Sequence, residues 1–204
     1  EAPNTNTAEV AQLRMKIFRR SPLRRKRLVR TMRLLDKVNG QEVLEMSADD
    51  AFSGALQNAG GGGGGNWSSL AVSETQAELL AEAGVPRIHL GVLPELPFAE
   101  SAFDVVVASD MLEYVEKPAE LMAELHRVMR SRTRLILHVR RKRRTLVELF
   151  RKLSGLTDPT RPQVRPGFTP AELFDVLKDG FDVQETTGYG RFFTEFANLL
   201  AELF

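Results

Sequence analysis

Apolar residues in this chain alternate between short continuous runs and runs spaced three or four apart, and the change of period marks out its elements. Phe103 to Ala108 is a continuous, valine-rich run, the pattern of a strand covered on both faces in a parallel sheet. Ser109, Asp110 and Glu113 follow directly. In open parallel sheets ligands bind beyond the carboxyl ends of the strands, so these polar groups stand where chemistry is done. After Lys117, Pro118 opens a helix whose Met122, Leu125, Val128 and Met129 fall on one face, and Leu135 to Val139 returns as another strand. This unit is half of a doubly wound, mainly parallel α/β sheet of the Rossmann-like kind.

The same reading extends in both directions. Val10, Leu13 and Ile17 predict a first helix from Ala8 to Arg19, and Ser21-Pro22 caps a second whose Leu28, Met32 and Leu35 share a side until Asn39-Gly40. Glu42 to Met46 is a first strand, followed by the turn Ser47 to Ser53 and a helix over Phe52 to Asn58. Gly60 to Gly65 formally satisfies a phosphate-cradling glycine pattern, but it follows a helix and precedes a strand, so it reads as a flexible connection. Trp67 to Val72 is a second strand, Gln76 to Ala83 a helix closed by Gly84, and Arg87 to Leu90 a short third strand. Beyond the fifth strand come a helix over Thr145 to Leu153, a proline-rich stretch suited to a lid at 154–169, and a capped helix from Thr169 to Leu177. A sixth strand over Phe181 to Thr186 and an amphipathic helix at 191–204, striped with Phe192, Phe193, Phe196, Leu200 and Phe204, complete the expectation. That stripe suits a core, a homodimer face or a lipid contact.

Charge changes this picture at one end. The net charge is +1, yet residues 1–40 carry a local +8 against −7 for the remainder. The chain therefore reads as a basic helical arm, 1–40, on a domain spanning 41–204. An arm whose outer side holds Arg24, Arg25, Lys26, Arg27, Arg30 and Arg33 suits an anionic partner over 14–33, or leans on its own acidic domain. A second basic cluster, Arg140 to Arg144, follows the fifth strand and suits an acidic acceptor or a solvated helix start. With no cysteine, thiolate zinc sites and cysteine nucleophiles are excluded, and no histidine pair has metal-ligand spacing, so no metal is expected. No apolar run reaches the length of a membrane span, and the polar, then basic, amino end is not read as a signal peptide. The expected location is cytoplasmic, with membrane-peripheral attachment through the arm as the variant.

The stretch Leu96 to Arg130, LPFAESAFDVVVASDMLEYVEKPAELMAELHRVMR, resembles the fourth-strand region of class I S-adenosylmethionine-dependent methyltransferases of type 11, and the similarity extends over roughly 40 to 140. LTDPTRPQVRPGFT is also similar to a segment of some bacterial members. The resemblance implies S-adenosyl-L-methionine as cofactor, held by Glu45 at the end of the first strand, by Ser47 and Asp49 in the turn, by Ser73 and Glu74 after the second strand, by Val92 after the third and by Ser109 after the fourth. It also marks departures. The turn after the first strand has no glycine before Gly54, Ser73 stands where an acid would grip both ribose hydroxyls, and Val92 replaces the aspartate that reads the adenine amino group. The cofactor motif is degenerate.

Methyl transfer is an in-line displacement that needs donor and acceptor aligned away from water, with a general base only when the acceptor must lose a proton. Asp110 is the candidate base. Tyr114, His138 and Arg140 are the candidate residues toward the acceptor, a small molecule or macromolecule that the sequence leaves unidentified. Asp110 also reads as a helix-capping carboxylate, and the chain as a non-catalytic module of the same fold that binds an anionic partner or another protein.

Overall fold

The computed structural model describes residues 5–35, 38–60, 65–142 and 164–188. The expected helix at 145–153, the lid over 154–163, the terminal helix at 191–204, and Arg143 and Arg144 lie outside the described residues. Among the described residues five strands, β1 (Glu42–Ser47), β2 (Asn66–Ala71), β3 (Ile88–Leu90), β4 (Phe103–Ser109) and β5 (Met129–His138), form one sheet in the order β3-β2-β1-β4-β5. Every pairing is parallel. The sheet grows one way from β1 and then the other way through β4, so the topological switch point lies between those two strands.

The helices are α1 (Thr5–Arg20), α2 (Pro22–Leu35), α3 (Asp50–Gly60), α4 (Glu74–Glu82), α5 (Pro118–Val128) and α6 (Pro170–Leu177). Side-chain alternation along the strands divides the core in two. Leu44, Met46, Val106 and Ala108 face α5, where Leu121, Met122, Leu125 and Val128 recur at helical spacing, with Leu177 of α6 beside them. Val43, Val105, Val107 and Ile136 face the other way, against Phe18 of α1, Leu35 of α2, and Phe52 and Leu56 of α3. The basic arm therefore packs on the sheet. Arg14 pairs with Asp50 at 2.5 Å, Arg24 with Asp49 at 3.6 Å and Arg30 with Glu185 at 2.5 Å, while Arg25, Lys26 and Arg33 are exposed on the outer side of α2.

Two expectations need correction. Phe181 to Thr186 forms no strand: Phe181 packs its ring against His126 at 5.9 Å, but Asp182 to Thr186 are exposed and unpaired with the sheet. Val183, at 47% exposure, has no apolar face to cover, so nothing offsets the entropy of fixing the segment as an edge. β5 also starts at Met129, directly after α5, well before Leu135, because Met129 already pairs with Phe103 across a register shift. Among the described residues no helix is long and apolar enough to cross a membrane.

Glu45 sits in the middle of β1 with no exposed surface, between Ser69 of β2 and Val107 of β4. Ser53 donates to it at 2.8 Å and Ser69 at 3.2 Å, and Gln57 donates to Ser69 at 2.5 Å. Burial pushes the Glu45 carboxyl up to about 7, against the pull of those hydroxyls. The folded chain thus keeps a proton that the unfolded chain releases near 4.5, so this group costs stability as pH rises from about 4.5 to about 7. Glu45→Gln is expected to raise the unfolding free energy at pH 8 by about 2 to 3 kcal/mol and to leave it unchanged near pH 4, read by urea denaturation at both pH values.

Candidate active site

The strands lose their apolar character at their carboxyl ends on the face covered by α2. Ser47 is paired with Ser109, and Ser109 with His138, so three polar residues stand in a row across β1, β4 and β5, where the preceding row on the same face is Glu45, Val107 and Ile136. Ser47 Oγ accepts from the Asp49 amide at 3.0 Å, which tightens the turn into α3. Ser109 is fully buried and its Oγ has no hydrogen-bond partner among the described residues. His138 is buried, with Nε2 2.8 Å from the Thr31 hydroxyl of α2. That hydroxyl donates to the Arg27 carbonyl at 2.9 Å, so the imidazole Nε2–H is the donor to Thr31. Burial, then the Arg27 charge, push His138 down to about 4 and keep it neutral.

Asp110 stands just past β4 with φ +54°, a left-handed conformation that aspartate tolerates better than most residues. Its carboxylate bonds Arg27, and the other arm of the same guanidinium bonds Asp49 at 3.0 Å. Arg27 thus bridges the turns after β1 and β4 across the switch point, is only 7% exposed, and stacks its guanidinium 4.4 Å above the Phe52 ring. Burial raises the Asp110 carboxyl, yet the Arg27 and Arg140 charges and the Arg27 hydrogen bond outweigh it and hold the group below the usual carboxylate range. Asp110 is ionised at neutral pH.

Glu113 lies beneath it in the short 3-10 turn Leu112–Tyr114. Its carboxylate accepts from the Arg140 amide and its carbonyl from the amides of Val164 and Arg165, at 2.9 and 3.2 Å. Burial, then the Asp110 charge, push Glu113 up to about 7. One carboxyl is held ionised and the next is held close to neutral, a pairing that suits proton handling.

The sequence-predicted residues divide into three groups. Ser47, Asp49, Ser109, Asp110, His138 and Arg140 converge on the switch point, with Tyr114 half-buried at the end of the 3-10 turn. Ser73, Glu74 and Val92 lie apart, at the ends of β2 and β3. Ser73 caps α4 by accepting from the Gln76 amide at 3.2 Å, Glu74 is exposed, and Val92 is 82% exposed. Glu45 is held in its own buried network beneath α3. Two participants were not singled out from the sequence. Gln76 ties β1 to β2 by donating to the Ser47 carbonyl at 2.7 Å and accepting from the Val72 amide at 3.0 Å. Arg27 was grouped with the outward cations, although Arg27, Thr31 and Leu35 recur at intervals of four beside the apolar stripe and are all buried. Two hollows, of about 300 Å³ beside Trp67 and Arg87 and about 640 Å³ between α1, α3 and α4, lie away from Asp110.

In a doubly wound parallel sheet of this order, the switch point between β1 and β4 is where ligands bind, and acidic groups stand there. Residues 56–137 match the family model described as a methyltransferase domain. Among solved structures, the chain is similar to a SAM-dependent methyltransferase from Aquifex aeolicus, with a TM-score of 0.57 at 16% identity over 82% of this chain and 87% of that one. It is also similar to a possible histamine N-methyltransferase from Thermotoga maritima, with a TM-score of 0.58 at 17% identity over 80% and 72%. The YcgJ protein of Bacillus subtilis gives 0.58 at 16% over 75% of this chain and 66% of its own. No curated protein matches the sequence. The chain has the class I methyltransferase fold, and that fold together with the match over residues 56–137 points to S-adenosylmethionine as the cofactor.

Among the residues present, Asp49 and Asp110 suit the ammonium group of such a cofactor, since both accept from a cation. Asp49 and Asp110 already hold a planar cation between them, and S-adenosylmethionine is cationic at sulfur and at its amino group. The ends of β2 and β3, with Ser73 and Val92, are exposed on the far side of β1 from β4.

Proposed function

We propose that this chain is an S-adenosylmethionine-dependent methyltransferase whose reaction centre is the crevice between the carboxyl ends of β1 and β4. The observation that carries the reading is the pair Asp49 and Asp110, two carboxylates facing one cation across the switch point beneath α2. Bound there, the cofactor supplies the electrophilic methyl group. Asp49 and Asp110 bind its positive charge and orient it, α2 excludes water from above, and Asp110 takes the proton from an acceptor that must lose one. Glu113, close to neutral, lies where it can share that proton. The outward cations Arg25, Lys26 and Arg33, together with Arg140 at the end of β5, support an anionic acceptor.

Titration calorimetry of the intact chain with S-adenosylmethionine and with its demethylated product tests this reading. Binding tighter than about 100 μM, roughly −5.5 kcal/mol, is expected, weakened by Asp110→Asn. No heat from either ligand at millimolar concentration would favour the non-catalytic module instead.

A further inference from the structure

We propose that Arg27 is a built-in competitor for the cofactor: its guanidinium occupies the place between two carboxylates that the cofactor's ammonium group would take, and its withdrawal is the step that opens the site. The inference rests on the reading that this crevice takes S-adenosylmethionine.

Three observations carry it. The guanidinium spans the gap between Asp49 and Asp110, so the two carboxylates that would receive an incoming cation are already engaged by one. It lies directly over Phe52 and is nearly sealed from solvent, so there is no room on that side for a second group alongside it. The helix that delivers it is anchored at its other end. Leu35 is buried among Val43, Val105 and Ile136, Thr31 is held by His138, and Arg134 donates to the last carbonyls of α2, at Leu34 and Leu35, at 3.0 and 3.1 Å. Arg27 can therefore swing out, with local loosening of the first turns of α2, while the helix stays attached.

Charge gives the competition a direction. S-adenosylmethionine carries a positive sulfonium that its demethylated product lacks, while both carry the amino group. Even when withdrawn, Arg27 stays on α2 beside the crevice, and its charge opposes the methylated form more strongly. The latch thus biases the resting crevice against the donor, and any event that draws Arg27 away raises donor affinity without changing a cofactor contact. When the open form is only a small fraction of the population, observed affinity is reduced by that fraction.

Arg27→Met is the variant that tests this, since it keeps an unbranched stem over Phe52 and removes the charge. Calorimetry on the full chain should show S-adenosylmethionine binding at least about tenfold more tightly than to the wild type, with a smaller gain for the demethylated product, as expected if the latched form exceeds about nine-tenths of the population. A second measurement needs no variant. Hydrogen exchange of the wild-type chain with millimolar S-adenosylmethionine should speed up at amides from Arg24 to Arg30 and stay unchanged around Leu35. Equal or weaker binding by Arg27→Met, or slower exchange in the first turns of α2, overturns the competitor role while leaving the cofactor site standing. If neither protein binds either ligand, the cofactor reading fails and this inference falls with it.

Discussion

Replacing both carboxylates of the latch, Asp49→Asn with Asp110→Asn, is expected to lower the unfolding free energy at pH 7 by about 3 kcal/mol, and adding Arg27→Met to that pair should restore most of the loss. A buried cation stripped of its counter-charges has no route to deprotonation, because a guanidinium stays charged at any accessible pH. Arg27 would then remain desolvated against Phe52 with only neutral amide oxygens for company. Removing the charge as well leaves a neutral, well-filled site, which is why the triple variant should recover. Asparagine is the right replacement at Asp110, since it tolerates the left-handed backbone there. Urea denaturation of the wild type, the double variant and the triple variant gives the result. Additive losses, with no recovery on adding Arg27→Met, would show that the three groups do not act as one unit.

Phe52→Ala is the second large expectation, a loss of about 3 to 5 kcal/mol. Phe52 is fully buried in the first turns of α3, with its ring 6.5 Å from that of Phe18 and 6.3 Å from His138, centre to centre, and it forms the floor under Arg27. Truncation opens a cavity bordered by α1, α2 and the sheet, and also removes the surface over which the guanidinium is held. Alongside the drop in stability, hydrogen exchange should quicken in α1 and α2 more than in α5, which packs on the opposite face of the sheet. Uniform acceleration across both faces would contradict that division of the core.

The sheet was legible in the sequence because its strands are dense in apolar residues: Phe103 to Ala108 and Trp67 to Val72 could hardly be anything but buried strands. The predicted strand over Phe181 to Thr186 failed because it had little more than Phe181 and Val183 to bury, and periodicity alone does not supply a neighbour. Asp110 and Asp49 could be placed because the carboxyl ends of β1 and β4 follow from strand order. The resemblance to methyltransferases placed Ser73 and Val92 at the ends of β2 and β3, where the structure also has them, one engaged as a helix cap and the other open to solvent.

What the sequence concealed was the side-chain direction of Arg27. Four of the six other residues from Arg24 to Arg30 are cations, and in such a run one inward arginine looks like its neighbours; only its four-residue spacing to Thr31 and Leu35 sets it apart. Gln76 was hidden for a related reason. Its amide satisfies backbone groups on β1 and β2 that are far from it in sequence, and no local pattern announces a bond of that kind.

Diffraction from crystals grown with the demethylated cofactor would show which groups occupy the crevice between β1 and β4. The ligand's ammonium group is expected between Asp49 and Asp110, its adenine toward Ser73 and Val92, and the Arg27 side chain displaced from the carboxylate pair. Arg27 still bridging Asp49 and Asp110, with the ligand bound elsewhere or absent at saturating concentration, would contradict that placement.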